Sequence, residues 1–259
     1  MKFSIITPTH NRPKELANNI LSISNFTSSD FFVEHIIIND SPLFDYAEVE
    51  NTLIKAYIEE ATTNPFYKIK YSKNFINQGV NHSRNIALKM VTGDYVILLD
   101  DDDWFAPDAL LHIYHVLTKK ELSGINWLVT NRTYANGKSL THNGTNKNYV
   151  SYFFDYMVFK KFSGDATHII KSNIAKRAHF AKNTKQGEEF YFFLQLPDKF
   201  LYKNLNTTIT DGYNIGGLTG ILKSKYKNNT WDLWKEKLNF KFFVYMVYRT
   251  IGVLKSKYF

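Results

Sequence analysis

The sequence predicts an α/β fold in which helices flank a mostly parallel central sheet. Apolar runs of strand length alternate with segments of helical periodicity through the first half of the chain. One run, YVILL at residues 95–99, is apolar throughout, which is typical of a strand covered on both faces. With 44% hydrophobic residues among 259, the chain can bury a sizeable core as one large domain.

The predicted elements of the first half follow one another in regular order. Strands are expected over KFSIITPTHN, FVEHIIIND, YKIKYS, DYVILLD and INWLVTN. Helices are expected over PKELANNILSIS, residues 48–61, GVNHSRNIALKMV and APDALLHIYHVL. Pro13 suits the first turn of the first helix, and Leu16, Ile20 and Ile23 share one of its faces.

The alternation weakens after about Gly137. The polar segment NGKSLTHNGTNKN is predicted to be a loop, and the aromatic segments YVSYFFDYMVFKKF and EEFYFFLQL are predicted to be helical. FLYKNLNTTIT is predicted to be a strand. We expect this half to be the more irregular part of the same domain.

The composition excludes several classes of site. Without cysteine, the chain has no disulfide, no thiolate nucleophile and no thiolate zinc site. Its apolar N-terminal run is short and is followed by no cleavage site, and no stretch reaches about 18 apolar residues, so we expect neither signal peptide nor membrane span. The expected location is cytoplasmic.

The net charge of +8 is concentrated in a C-terminal tail, residues 221–259, which follows a domain expected over 1–220. Nine Lys and Arg residues stand there against two acids, interleaved with Trp, Phe and Tyr. This composition predicts a helix lying on an anionic membrane surface, as for a peripheral protein on the inner face of the cell membrane. The alternative is a packed helix with a solvated basic face. No nucleic-acid partner is expected, because no recognition motif accompanies the charge.

Four consecutive aspartates end the apolar run, in the sequence DYVILLDDDDW. Asp40 also follows a predicted parallel strand, and ligands of such sheets bind at the carboxyl ends of the strands. Crowded carboxylates are stabilised by a divalent cation, and oxygen ligands favour Mg²⁺ or Mn²⁺. The alternative is a solvated turn that caps the next helix, which Asp108 would also suit.

Three blocks, SIITPTHNRPKEL, HIIINDS and NQGVNHSRNIALKMVTGDYVILLDDDDW, resemble glycosyltransferase family 2 in order and spacing. The resemblance covers residues 2–117. It would make residues 1–117 the nucleotide-sugar-binding half of the domain and residues 118–220 the acceptor half. It implies the GT-A fold, a single α/β domain. It also implies metal-dependent, inverting transfer of a hexosyl or N-acetylhexosaminyl group, from a nucleoside-diphosphate sugar such as a UDP-sugar. The acceptor would be a glycan or a lipid-linked hydroxyl, in bacterial surface polysaccharide synthesis.

The family's Leu-Asp-x-Asp-Asp block falls on residues 99–103. By resemblance, Asp100 contacts the ribose side of the donor and Asp102 is the direct ligand of Mn²⁺ or Mg²⁺. Because the run contains four acids, its match to the family's block could shift by one residue, so Asp101 and Asp103 are also candidates for these roles.

The same resemblance assigns the remaining donor contacts. Asp40 resembles the acid that recognises the base, and Asn39 replaces a second acid that the family usually has. Arg84 would lie over the diphosphate, or else be a helix arginine paired with an acid. The full nucleotide-sugar-binding set is Thr7, Pro8, Thr9, Asn11, Asp40, Asn77, Gly79, Arg84, Asp100 and Asp101.

An inverting transfer needs a carboxylate that takes the proton of the acceptor hydroxyl. The segment QGEEFYFF resembles the family's Glu-Asp block, with Glu189 at the Asp position and Glu188 before it, so either is the candidate base. Two solvated acids in the first turn of a helix are the alternative. Asp165 and His168 lie where the acceptor site begins, although a histidine on a strand is more often packed. Competing functions are a nucleotidyltransferase and a degenerate glycan- or partner-binding module.

Overall fold

A computed structural model of the chain describes residues 1–26, 28–41, 63–122, 124–145, 147–182, 184–185 and 187–210, and also residues 55, 56, 58, 59, 61, 240, 243, 244 and 247. The predicted domain boundary at residue 220 and most of the predicted tail lie outside the described residues. The described residues between 55 and 61 are helical, as expected for that segment.

The predicted elements of the first half are confirmed in type and order. The strands are β1 (Lys2–Thr9), β2 (Phe32–Asn39), β3 (Tyr67–Lys73), β4 (Tyr95–Leu98), β5 (Asp103–Phe105) and β6 (Trp127–Tyr134). The helices are α1 (Pro13–Ser24), α2 (Val80–Met90), α3 (Ala109–Thr118) and a short 3₁₀ helix, Lys120–Leu122. Strand β5 was not predicted, because it begins at the last of the four aspartates.

The second half departs from its prediction in three places. The expected loop contains β7 (Thr141–Asn143), and the expected helix over 149–162 is wrong at both ends. It divides into β8 (Tyr149–Ser151), a π-helix (Tyr152–Val158) and β9 (Phe162–Gly164), which leads into β10 (Ala166–Lys171). The short α4 (Ser172–Ala175) and the single turn α5 (Phe190–Phe193) follow, and then β11 (Lys199–Thr210).

Backbone pairing and a left-handed residue explain these differences. β8 pairs antiparallel with the start of β11, so its hydrogen-bonding groups are satisfied in the sheet and not in a helix. The predicted helix over EEFYFFLQL begins only at Phe190, because Glu188 has φ +58°, outside the helical region.

Among the described residues, nine strands form one sheet in the order β3-β2-β1-β4-β10-β6-β11-β5, and β8 also pairs with β11. The strands β3, β2, β1 and β4 are mutually parallel, as are β6 and β11. β10 runs antiparallel between β4 and β6. The sheet is therefore mostly parallel. Strands that come before residue 117 and strands that come after it belong to this one sheet.

Both faces of the sheet are covered, as the apolar β4 run predicts. On one face, α1 and α3 bury residues such as Leu16, Ile20 and Ile113. On the other, α2 packs with an aromatic group that includes Trp127, Phe180, Phe192 and Phe200. This double cover leaves only the ends of the strands open to a ligand.

A buried carboxylate ties the strands together at their amino ends. Glu34 on β2 has no exposed surface and forms ion pairs with Lys2 on β1 (3.0 Å) and Lys70 on β3 (2.8 Å). Burial opposes ionisation, but hydrogen bonds from Lys70, Ser4 and Thr92 hold the pKa of Glu34 well below its usual range. The amino ends of these strands are therefore covered by paired charged groups, whereas the carboxyl ends are open to a ligand.

Within the described part of the chain, no helix combines the length and apolarity that a bilayer crossing requires.

Candidate active site

Three arginines provide the counter-charge for the four aspartates that follow β4. Arg12 contacts two of them, and Arg84 and Arg132 contact one each. The pairs are Arg12 Nη1 with Asp101 Oδ1 (3.1 Å) and Asp102 Oδ2 (2.7 Å), Arg84 Nη2 with Asp100 Oδ1 (2.6 Å), and Arg132 Nη2 with Asp103 Oδ2 (2.8 Å). Crowded charge alone therefore does not require a metal ion, since the three arginines offset most of it.

Asp101 and Asp102 share Arg12 but differ in accessibility. Asp101 is 5% exposed, and its second oxygen accepts a hydrogen bond from Thr9 Oγ1 (2.8 Å). Burial raises the pKa of Asp101 to about 7, against the opposing charge of Arg12. The side chain of Asp102 is 30% exposed. Of these two carboxylates, Asp102 is therefore the better placed to meet a ligand.

Arg84 joins the end of β4 to the segment that precedes α5. It projects from α2, is 5% exposed, and donates from Nη2 to Asp100 and from Nη1 to Glu189 Oε1, both at 2.6 Å. Burial alone would raise the pKa of Asp100, but the charges of Arg84 and Arg132 lower it below its usual value. Two candidate site residues from opposite halves of the chain thus share one guanidinium.

The carboxylate of Asp40 is turned into the protein. It accepts hydrogen bonds from Asn74 Nδ2 (2.8 Å), Gln78 N (2.9 Å) and Gly79 N (2.6 Å), and the residue is 3% exposed. Asp40 therefore fixes the loop between β3 and α2. In this arrangement that loop, and not the carboxylate itself, faces the surface.

The first candidate loop divides into buried and exposed parts. Thr7 and Pro8 are buried, and Thr7 Oγ1 contacts His35 Nε2 at 2.9 Å inside the sheet. Thr9 is buried against Asp101. These three residues shape the floor beneath the strand ends.

Asn11 and Asn77 lie at the surface around His10. Asn11 adopts φ +54°, and its N–H donates to Ser41 Oγ (2.9 Å). The Nδ2 atoms of Asn11 and Asn77 lie 3.4 and 3.3 Å from His10 Nε2, and His10 Nδ1 lies 2.9 Å from the carbonyl of Asp40. The exposed polar groups of the two loops therefore meet above the end of β1.

Gly79 brings the start of α2 against the loop that precedes the candidate base. It has φ +92°, and a Cβ atom there would lie 2.2 Å from the carbonyl oxygen of Lys185. The neighbouring Asn81 donates from Nδ2 to the carbonyls of Thr184 (3.2 Å) and Gly187 (3.0 Å). Only glycine allows this approach, so position 79 carries a structural requirement.

Of the two candidate bases, Glu189 faces a cavity. Its side chain is 51% exposed and paired with Arg84, and it belongs to the lining of a cavity of about 250 Å³. Glu188 lies at the left-handed turn before it and is not among the lining residues of that cavity.

The cavity combines charged groups with aromatic rings. Its lining joins residues from β4, β6, β10, the π-helix and α5. The charged members include Arg84, Asp100, Arg132, Lys160, Asp165 and Glu189, and the aromatic members include Tyr152, Tyr156, Phe180, Phe190 and Phe193. Asp165 and His168, singled out in the sequence, both line it. Such a mixture suits a polar ligand with apolar ring faces.

The carboxylates that follow β4 are suited to bind a divalent cation together with a phosphate group. Among the described residues, no group of three or more His, Cys, Asp or Glu could hold a metal by itself. Mg²⁺ and Mn²⁺ commonly take one or two carboxylates and complete their shell with phosphate and water. Asp100 and Asp102, 37% and 30% exposed, are hard oxygen donors at one strand end and fit that role.

Sequence reasoning missed Arg12, Arg132 and His10. Arg12 stands inside the first matching block, and its positive charge beside an acid run was the available signal. Arg132 directly follows the predicted strand INWLVTN, and no local pattern indicates that its side chain, which is 15% exposed, pairs with Asp103.

Comparison with known proteins gives a consistent picture. The family model described as glycosyl transferase family 2 matches residues 4–182. The minor teichoic acid biosynthesis protein GgaB of Bacillus subtilis is 28% identical over 191 residues, which are 72% of this chain and 20% of GgaB. The GalNAc(5)-diNAcBac-PP-undecaprenol beta-1,3-glucosyltransferase of Campylobacter jejuni is 27% identical over 192 residues, 73% of this chain and 56% of that enzyme.

A solved structure shares the fold. Staphylococcus aureus TarS 1–349, in complex with UDP-GlcNAc, superposes with a TM-score of 0.62 at 19% identity, over 81% of this chain and 58% of that one. This chain spans less than two thirds of the length of each of these three proteins. The GT-A fold expected from the sequence is confirmed.

We predict that Gly79→Ala destabilises the protein more than Gly137→Ala. Both glycines have positive φ, +92° and +83°, but nothing lies within 4 Å of a Cβ at Gly137. Each substitution should cost about 1 kcal/mol for the backbone conformation, and Gly79→Ala about 2 kcal/mol more for the contact with Lys185. Urea unfolding measures both. Equal losses would show that the contact with Lys185 relaxes at no cost.

Proposed function

The chain belongs to glycosyltransferase family 2, and on that premise we propose that it transfers a sugar from a UDP-sugar to a hydroxyl of a glycan or lipid-linked acceptor, with inversion at the anomeric carbon. The group transferred is a hexosyl or N-acetylhexosaminyl unit, and the process is bacterial surface polysaccharide synthesis. The UDP-GlcNAc complex of TarS and the names of GgaB and the Campylobacter enzyme support this substrate class.

One observation carries the proposal: Arg84 holds Asp100 and Glu189 at 2.6 Å each beside one cavity. Asp100 stands at the end of β4, where the donor would bind, and Glu189 lines the space that an acceptor would enter. The candidate base Glu189 and the donor-side acid Asp100 therefore contact the same arginine side chain. That proximity is what a direct, single-displacement transfer needs.

The donor would lie across the carboxyl ends of β1, β2 and β4. The loop that Asp40 fixes would contact the base, through Asn77 and Gly79, together with Asn11 and the floor formed by Thr7, Pro8 and Thr9. Asp100 and Asp101 would hold the ribose and diphosphate side. Arg84 and Arg12 would bind the diphosphate by charge-assisted hydrogen bonds.

Glu189 is the proposed base. It would take the proton of the acceptor hydroxyl as that oxygen attacks the anomeric carbon, so that the new carbon–oxygen bond forms while the bond to the diphosphate breaks. The bonding electrons leave with the nucleoside diphosphate, and the proton ends on Glu189. Attack from the side opposite the leaving group inverts the anomeric configuration.

Asp102 would be the direct ligand of Mn²⁺ or Mg²⁺, with Asp100 nearby. When bound, such an ion neutralises the charge that develops on the leaving diphosphate. Arg12 lies 2.7 Å from Asp102, so its guanidinium would also be close to a diphosphate that shares the ion with Asp102.

For the domain organisation we propose that residues 1–117 bind the donor, residues 118–220 the acceptor, and residues 221–259 an anionic membrane surface at the inner face of the cell membrane. In the tail, the described residues are helical and apolar, and Phe240, Phe243 and Val247 are exposed. Nine basic residues accompany them in the sequence. This combination supports a membrane-surface helix.

We predict that Glu189→Gln lowers the turnover number by about 10² to 10⁴, because the amide keeps the shape and the contact with Arg84 but cannot accept a proton. Glu188→Gln, which changes the neighbouring carboxylate outside the cavity, is the matched control and should retain turnover. UDP-sugar binding, measured by calorimetry, should be similar in both variants. An inactive Glu188→Gln with an active Glu189→Gln would move the base by one residue.

Metal dependence is tested through Asp102. Asp102→Ala should abolish turnover in Mn²⁺ or Mg²⁺ and leave the unfolding midpoint close to that of the unmodified chain, because Arg12 keeps its contact with Asp101. Asp30→Ala, which removes an exposed acid before β2, is the control. Full activity of the unmodified chain in excess chelator would contradict the proposal.

The tail is tested with vesicles of anionic and of neutral lipid. We expect the full chain to float with anionic vesicles at low salt and to be released as salt rises, since each basic residue near the surface contributes about 1 kcal/mol and the interaction is screened. A chain ending at Asn229 should lose vesicle binding and still bind UDP. If the full chain ignores anionic vesicles at low salt, the tail serves packing or oligomer contacts instead.

A further inference from the structure

His168 occupies the wall of the cavity in an environment that fixes its proton. It lies on β10, is partly buried, and packs against Phe193 with ring centroids 4.2 Å apart and ring planes tilted by 33°. Trp127, on the neighbouring strand β6, lies behind it, and its indole Nε1 is 3.1 Å from His168 Nδ1. The ring is therefore held on one face and at one nitrogen.

The contact with Trp127 determines the tautomer. An indole N–H can only donate, so His168 Nδ1 must accept, and the proton of the neutral imidazole must sit on Nε2. Burial, together with the nearby charge of Arg132, lowers the pKa of His168 to about 3. The imidazole is thus neutral at physiological pH.

Nε2 is the atom that the protein leaves available. It has no hydrogen-bond partner in the described part of the chain. It is also absent from the fully buried polar atoms without a partner, so its surface is accessible. Because His168 lines the cavity and its Nδ1 is occupied by Trp127, the Nε2–H is the donor of this ring that remains for a ligand in the cavity. A donor held in this way is costly to leave unpaired once a ligand excludes water.

A neutral donor suits a site that also contains the proposed base. A cationic imidazole would add a second positive charge near Glu189, which already pairs with Arg84, and would weaken this carboxylate further as a proton acceptor. A neutral N–H can bind a hydroxyl oxygen without that effect, and the aromatic rings of Tyr152 and Phe193 in the same lining suit the apolar face of a sugar ring.

We propose that His168 is a specificity-determining residue that donates a hydrogen bond from Nε2 to a hydroxyl oxygen of the acceptor sugar, beside the hydroxyl that Glu189 deprotonates. The inference rests on the proposed function and adds the acceptor contact to it. A site built to bind a hydroxyl in this way discriminates against an acceptor that lacks it.

Three substitutions separate hydrogen bonding from packing. His168→Gln places an amide N–H near the position of Nε2, His168→Asn places its amide near Nδ1 and cannot reach the cavity, and His168→Phe keeps the ring contact with Phe193 but donates nothing. With UDP-glucose or UDP-GlcNAc as donor and the methyl glycoside of N-acetylgalactosamine as acceptor, we measure the acceptor KM and kcat separately.

The donor role predicts a near-normal acceptor KM for His168→Gln and an increase of about 10-fold for His168→Phe and His168→Asn. UDP affinity, measured by calorimetry, should change in none of them. A packing role predicts the reverse order, with the phenylalanine variant near normal and the glutamine variant impaired. That order, or equal losses in all three variants, overturns the inference.

Nitrogen NMR of the full chain tests the same atom without turnover. The unmodified protein should show His168 in the Nε2–H form, and adding the methyl glycoside in the presence of UDP should shift the Nε2 signal. A proton found on Nδ1, or an Nε2 signal that does not respond near saturation with the glycoside, overturns the inference. If no sugar is transferred to any acceptor while the signal does respond, the proposed reaction fails and the binding contact stands.

Discussion

The pairing of arginines with carboxylates at the end of β4 is the interaction on which the rest of the site depends. Four adjacent aspartates at a buried strand end would repel one another, and the fold places Arg12, Arg84 and Arg132 among them. These arginines come from three segments: the loop before α1, helix α2 and strand β6. Balancing the acids therefore also fixes the relative position of those segments, and the cavity forms between them.

The two ends of the sheet use charge differently. At the amino ends, Glu34 is sealed beneath Lys2 and Lys70 and holds neighbouring strands together. At the carboxyl ends, Asp100 and Asp102 stay partly exposed while their neighbours Asp101 and Asp103 are buried. Residues 100–103 form a turn that is closed by a hydrogen bond from the Asp103 N–H to the carbonyl oxygen of Asp100 (3.1 Å), and this turn leaves Asp100 and Asp102 accessible. A single stretch of sequence thus provides two largely buried carboxylates and two that are partly exposed.

Local pattern predicted the first half of the fold because each element there carries its own signal. Pro13 starts α1, the apolar run predicts β4, and parallel strands separated by helices follow. The second half is held by pairing between distant segments, such as β8 with the start of β11, and no local pattern reports such contacts. The same holds for the site: the acid run is visible in the sequence, but the contacts of Arg132 with Asp103 and of Trp127 with His168 depend on which strands are neighbours.

The close approach of Gly79 to Lys185 has a consequence for how this sequence can vary. The backbone at Gly79 also binds Asp40, and Asn81 holds the carbonyls of Thr184 and Gly187 just before the two glutamates. The segments are about a hundred positions apart, yet neither can gain or lose a residue without displacing the other. Insertions and deletions in the two loops should therefore occur together across related sequences.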